Sequence, residues 1–405
     1  MQGIPVGSRG KAFLVAAGLL ATVVAPVAAS GSDVDKSDNV TLIKSVPYKG
    51  GTDISADGRY LYAGQMDGIV NRGERPKQGG VHIFDVSGRV PKEVGFLACP
   101  GNDNDPEVVK PGLIVVGFHN NMCVPSAGNG LLTVDVSNPR KPRILGSVNT
   151  GKNHTHRPFP GTDLVYTSGG GQTGGPNAGP AIVDVSDPTK PEIVARPQTI
   201  TMDCHDISFH LSGDQKLGFC AGGAGAGEVQ IWDVSDPLEP VTIGKIYNAL
   251  IQYSHFAVAS DDGKLLAIDD EAFAVHDCNS GQSPVGRMWV YDISNPSVPI
   301  PLGSFAPPRG GDGQTNIGTY LGWAPSWCLA HFFDWKPDTY QIGVAWYTGG
   351  MSVLDFSEPT MPSEAAHFHA PNSTAYAAQW HKGLLYVSDQ RRGLDVFDID
   401  LKKKR

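Results

Sequence analysis

VQIWDVSDPLEP, residues 229–240, decides the fold. Val229 and Ile231 alternate with polar neighbours, the pattern of a half-buried strand, and the run stops at Ser-Asp-Pro. Asp236 can bond its own backbone there while Pro237 presets φ, so a turn follows. The same sentence recurs as VHIFDVSGRVP (81–91), LLTVDVSNPRKP (131–142), AIVDVSDPTKP (181–191), MWVYDISNPSVP (288–299), MSVLDFSEPTMP (351–362) and LDVFDID (394–400). Its aspartates are Asp85, Asp135, Asp184, Asp233, Asp292, Asp355 and Asp398, with spacings of 50, 49, 49, 59, 63 and 43. Repetition at that period, built from short β-type runs, predicts an all-β protein: a seven-bladed β-propeller with one blade per repeat.

Working outward from Asp233, HDISFH, KLGFCA, EVQIWDV and PVTIGKIY read as four strands of one meander. We label them a to d, with a innermost. The last repeat, ending at LKKKR, lacks strand d. NVTLIKSVPY, residues 39–48, matches PVTIGKIY, so the N-terminal strand is expected to complete blade 7 and remove the exposed sheet edge. The seven aspartates stand in every blade. Their expected work is therefore structural, accepting backbone N–H bonds in the c–d turn.

Arg9 and Lys11 precede the apolar run of residues 12–29, which ends in small residues. This predicts a cleavable signal peptide over residues 1–30, followed by one propeller domain over 31–405 that is secreted and not transmembrane after cleavage. A net charge of −9 argues against nucleic acid as a partner. Nothing in the sequence indicates an oligomeric state. In an oxidising compartment the six cysteines can pair in fifteen ways. The blade plan favours sequential pairs, Cys99–Cys123, Cys204–Cys220 and Cys278–Cys328, all on the top face where strand a begins.

An apolar strand ending in D-[VI]-S-[DN]-P-x-x-P resembles the LVIVD-repeat family of β-propellers, over about residues 40–400. That resemblance implies an exported or surface propeller and assigns no chemistry. A weaker likeness links the turn motif to the selenium-binding protein (methanethiol oxidase) propellers, which carry histidine-bound copper. Their histidine motifs do not match this chain, and no ligand is carried over.

The b–c loops of blades 1, 2, 3 and 5 are long, whereas the a–b turns ADGR, SDDGK, KPDT and HKG are short. Binding residues are therefore expected on the top face. His255 and His331 each lie seven residues before the bottom-turn aspartates Asp262 and Asp338; His154 lies seven before Gly161, and His205 eight before Gly213. Blades 3 to 6 thus each place a histidine at the start of the innermost strand, with His156 two residues further along. Asp105 is expected at the corresponding place in blade 2, and blade 1 has Asp53 nearby. Imidazoles converging from separate rigid strands suit a first-row transition metal such as copper, iron or zinc. Asp53, Asp105, Glu107, Asp269, Glu271 and His119 are candidates for the surrounding shell or pocket. Trp323, Trp327, Phe332, Phe333 and Trp335 are read as packing between blades.

Two classes of function follow. One is a metal-dependent oxidoreductase with metal held by His154 or His156, His205, His255 and His331. The other is a metal-free exported scaffold that binds a small molecule, protein or cell-wall ligand through its top loops.

Overall fold

The structure, a computed structural model, describes residues 34–66, 79–99, 101–119, 123–124, 128–151, 153–169, 179–197, 200, 202–224, 227–271, 286–308 and 328–402. The expected signal segment, Cys278, Trp323, Trp327 and most of the long top loops lie outside these residues.

Seven antiparallel sheets form in chain order, and no helix occurs among the described residues. Blade 1 is Gly51–Asp57, Tyr60–Gln65, Gly80–Asp85 and Lys92–Ala98. Blade 2 is Asn102–Lys110, Leu113–His119, Gly130–Asp135 and Arg143–Asn149. Blade 3 is Thr155–Pro158, Leu164–Ser168, Ala181–Asp184 and Glu192–Ala195. Blade 4 is Asp206–Ser212, Gln215–Ala221, Glu228–Asp233 and Val241–Tyr247. Blade 5 is Tyr253–Ala259, Leu265–Asp270, Met288–Asp292 and Ile300–Phe305. Blade 6 is His331–Trp335, Gln341–Ala345, Met351–Asp355 and Ser363–His369. Blade 7 is Ala375–His381, Leu384–Asp389 and Gly393–Ile399, with Val40–Val46 as its outer strand. Strand a of each blade touches strand a of the next, and blade 7 returns to blade 1, so the ring is a closed propeller. The N-terminal strand closes blade 7 as expected. Asp35–Lys36 also pairs with the outer strand of blade 6, a contact the sequence did not announce.

The repeated sentence has two structural uses. The first six aspartates each accept the backbone N–H two residues on, from Ser87, Ser137, Ser186, Ser235, Ser294 and Ser357, at 2.7–2.9 Å. This is the expected turn-capping role. The proline carbonyl then latches neighbouring blades. Pro296 of blade 5 lies against Gly244 on strand d of blade 4, so closely that any Cβ there would collide with its oxygen. Gly95, Gly146 and Gly303 meet Pro139, Pro188 and Pro359 in the same way. Between blades 3 and 4, where no glycine serves, the Tyr166 hydroxyl donates to the Pro237 carbonyl.

The core lies between blades. Trp232, Trp346, Tyr62, Tyr166 and Tyr386 are fully buried there, together with the aliphatic strands. Burying one such large side chain contributes roughly 1.5–3 kcal/mol. Phe332, Phe333 and Trp335 belong to this core, the packing role expected of them.

Candidate metal centre

Strand register shows which residues are equivalent. Ala257, Ile207, Phe333 and His156 pair with Ile268, Cys220, Val344 and Thr167 of their b strands. Two residues before each stands His255, His205, His331 or His154. By the same register the other blades supply Thr52, Asn104 and Tyr376. One polar ring thus runs round the start of the channel. Asp105, expected in this ring, stands one residue further along, and Asp53 lies next to Thr52 in the same way. Asn104 lies eight residues before Gly112, as His205 does before Gly213, and a register shift opens strand a in blades 1, 2, 5, 6 and 7 alike.

The four imidazoles form a continuous row. Ring centroids are 4.4 Å apart for His154–His205, 4.3 Å for His205–His255 and 4.1 Å for His255–His331. His205, His255 and His331 are almost wholly buried, and His154 is half-buried. Glu271, just past the end of strand b in blade 5, enters this row. His331 Nε2 is 3.6 Å from Glu271 Oε1, and His255 Nε2 is 3.9 Å from Glu271 Oε2.

The rings are oriented from behind. His331 Nδ1 lies 2.6 Å from the Tyr376 carbonyl oxygen. A carbonyl only accepts, so Nδ1 carries the proton and Nε2 presents a bare lone pair toward Glu271. His255 Nδ1 is 3.0 Å from Asp269 Oδ2, while Asp269 Oδ1 accepts the Phe256 N–H. The Tyr347 hydroxyl donates to Glu271 Oε1 at 2.7 Å. His205 Nδ1 is buried with no hydrogen-bond partner and lies 3.3 Å from Asp206 Oδ2.

Burial governs the charge of these groups. It holds the His205, His255 and His331 imidazoles well below their usual pKa, and so neutral. Desolvation likewise pushes the Glu271 carboxyl up to about 8 and Asp269 well above the carboxylate range. Neutral imidazole nitrogens beside a buried carboxyl are a donor set that could hold a metal ion.

These residues fit a metal ion in their donor types. Ligand atoms of His205, His255 and Glu271 lie within 4.8 Å of one another. A tetrahedral ion with bonds of about 2.1 Å has ligand atoms about 3.4 Å apart, so a loaded site would draw these side chains inward. Glu271, read from sequence as a surrounding residue, thus joins the tightest donor group, and His331 adjoins it. Asp269 orients from behind. His156 turns away, its ring against Gly117 of blade 2, where burial lowers its pKa to about 3.

Asp53, Asp105 and Glu107 sit in the channel around Arg157, a residue the sequence reading missed. Its guanidinium contacts Glu107 and lies 3.8 Å from Asp206. One isolated arginine in a strand carried no signal, because only the ring gathers those carboxylates around it. His119 ends strand b of blade 2 at the same rim. Cys99–Cys123 and Cys204–Cys220 are disulfides, each with Cα atoms 5.2 Å apart. Cys328 is also disulfide-bonded, and its expected partner Cys278 falls outside the described residues. No helix of the described residues is long and apolar enough to cross a membrane.

The LVIVD repeat matches this chain at residues 119–150, 177–199 and 286–306. No curated protein matches it. Among solved structures, it is similar to the β-propeller domain of Cps50 (Swd1) from Myceliophteria thermophila, at 12% identity and a TM-score of 0.55. That likeness covers 89% of this chain and 100% of the other, and it shows the fold alone.

Proposed function

We infer that the functional site of this seven-bladed LVIVD-repeat propeller is the buried histidine–glutamate cluster at one end of its channel. We propose that this cluster holds a divalent transition-metal ion through His205, His255, His331 and Glu271, and that the protein is an exported metalloprotein. The observation that carries the reading is the tie on His331 Nδ1, which leaves Nε2 as a bare acceptor aimed at a carboxyl. An imidazole anchored through its second nitrogen is the usual arrangement of a metal ligand.

The chain's own groups have distinct tasks. Asp269 and the Tyr376 carbonyl fix two rings, and the Tyr347 hydroxyl holds one oxygen of Glu271. Phe332, edge-on to His255 and His331 at 4.7 and 4.8 Å, keeps water from their flanks. A bound ion would supply Lewis acidity or, with copper or iron, one-electron chemistry, the basis for an oxidoreductase. Export is supported by the leader-like N-terminus and the disulfides, which persist outside reducing compartments. The competing scaffold reading rests on long loops that lie mostly outside the described residues.

Metal analysis of the purified mature protein tests the proposal. Near-stoichiometric metal is expected, lost in a His205→Ala/His255→Ala variant. Metal-free protein that gains no stability from added copper, iron or zinc would overturn it.

A further inference from the structure

Below the imidazole ring the channel has two unlike walls. The register that aligns the histidines places Asp53, Asp105 and Asp206 in the next layer on blades 1, 2 and 4, against Phe256 and Phe332 on blades 5 and 6. Between these walls, toward the bottom face, lies a cavity of about 220 Å³. Asp53, Asp334, Gln379, Phe256 and Phe332 line it, and Arg157 reaches in from blade 3.

Its polar groups are predominantly acceptors. The Gln379 carboxamide oxygen is buried with no hydrogen-bond partner. Asp334 accepts the Trp380 N–H at 2.9 Å and Asp53 the Ile54 N–H at 2.7 Å, but neither carboxyl forms an ion pair among the described residues. Arg157 is already engaged, contacting Glu107, lying 3.8 Å from Asp206 and donating to the Ile207 carbonyl at 3.1 Å. Its guanidinium also lies 5.2 Å from the centre of the Phe256 ring, so the chain itself sets a cation against this aromatic wall.

We propose that this cavity is a binding site for a small organic cation, an ammonium group on a short apolar body. The ammonium hydrogen-bonds Asp334, Asp53 and the Gln379 oxygen, and the apolar body packs on Phe256 and Phe332. Anions are disfavoured because the local carboxyls outnumber the single engaged arginine. Burial raises Asp53 to about 6 and Asp334 to about 7, against the opposing charge of Arg157. A volume near 220 Å³ admits a body little larger than a benzene ring.

The site does not depend on the metal, and its test keeps the two apart. Benzylammonium, benzyl alcohol and benzoate are titrated by calorimetry into the full chain, with and without prior chelation. Benzylammonium should bind in both states, about tenfold or more tighter than the alcohol, because a charge-assisted hydrogen bond is worth that much. Benzoate should bind weakest. Asp334→Asn, which keeps the acceptor for Trp380, should erase the preference for the ammonium. Equal affinity for the alcohol, tighter binding of benzoate, full affinity in the Asn variant, or no binding at millimolar ligand would each overturn the proposal. A protein that binds benzylammonium but no metal would refute the metal centre and leave this site standing.

Discussion

His255 and His331 lie with ring centroids 4.1 Å apart, and each has its Nδ1 engaged elsewhere, one on Asp269 and the other on the Tyr376 carbonyl. Both Nε2 atoms therefore turn to Glu271. Two buried imidazoles in contact thus face one carboxyl, and the carbonyl behind His331 leaves its Nε2 as an acceptor.

Replacing the carboxyl in contact should differ from replacing the carboxyl behind it. Glu271→Ala should abolish tight metal binding. Asp269→Asn should weaken it about 10–100-fold, because the ring loses its orienting partner while Nε2 remains. Competition with a chromophoric chelator measures both. Equal affinity in the two variants would show that Glu271 is not a ligand.

Stability of the metal-free protein should have two arms in pH. Burial raises Glu271 to about 8, Glu107 and Asp334 to about 7 and Asp53 to about 6. A carboxyl so raised keeps in the folded state a proton that the unfolded chain has released. Its contribution is full below the unfolded value of about 4 and is lost as pH rises through the folded one. His205, His255 and His331 are lowered, so theirs is present above about 6.5 and is lost as pH falls from there toward the folded values. A metal ion bound as proposed would replace the proton on Glu271. Saturating metal should therefore flatten part of the alkaline arm, and metal affinity should rise from about pH 6 to about pH 8. Urea unfolding at a series of pH values, with and without metal, tests this. An alkaline arm indifferent to metal counts against the Glu271 assignment.

Cys204 immediately precedes His205, and its disulfide to Cys220 ties the entry of strand a to strand b. The bridge spans 16 residues, for which loop closure predicts about 3 kcal/mol. A Cys204→Ser/Cys220→Ser variant should lose roughly that stability in urea, and metal affinity should fall with it as His205 gains freedom. Unchanged metal affinity would separate the disulfide from the site.

The inter-blade latch is testable at one atom. Gly244→Ala should destabilise by roughly 1–3 kcal/mol, because its Cβ meets the Pro296 carbonyl and the blades must shift. Gly88→Ala, with nothing within 4 Å, should change little. Thermal unfolding of the pair decides it, and equal melting temperatures would dismiss the latch.

Local patterns along the chain specify the ring. Seven copies of one strand-and-turn sentence specify seven blades, and the leftover strand near the N-terminus announces the closure, because these are local patterns of period two and of turn chemistry. They also place one histidine at the head of strand a in each of blades 3 to 6. Where those side chains point is set by the folded ring. Cross-strand register put Thr52 and Asn104 into the histidine ring, with Asp53 and Asp105 one residue further along, and it set His156 against Gly117 of blade 2. Glu271 and Arg157 acquired their roles only when the ring closed, since each is defined by residues on other blades some 50 to 75 positions away. Spacing along a strand fixes position around the channel, but the direction of a side chain follows from hydrogen-bond register between strands, which no single strand encodes.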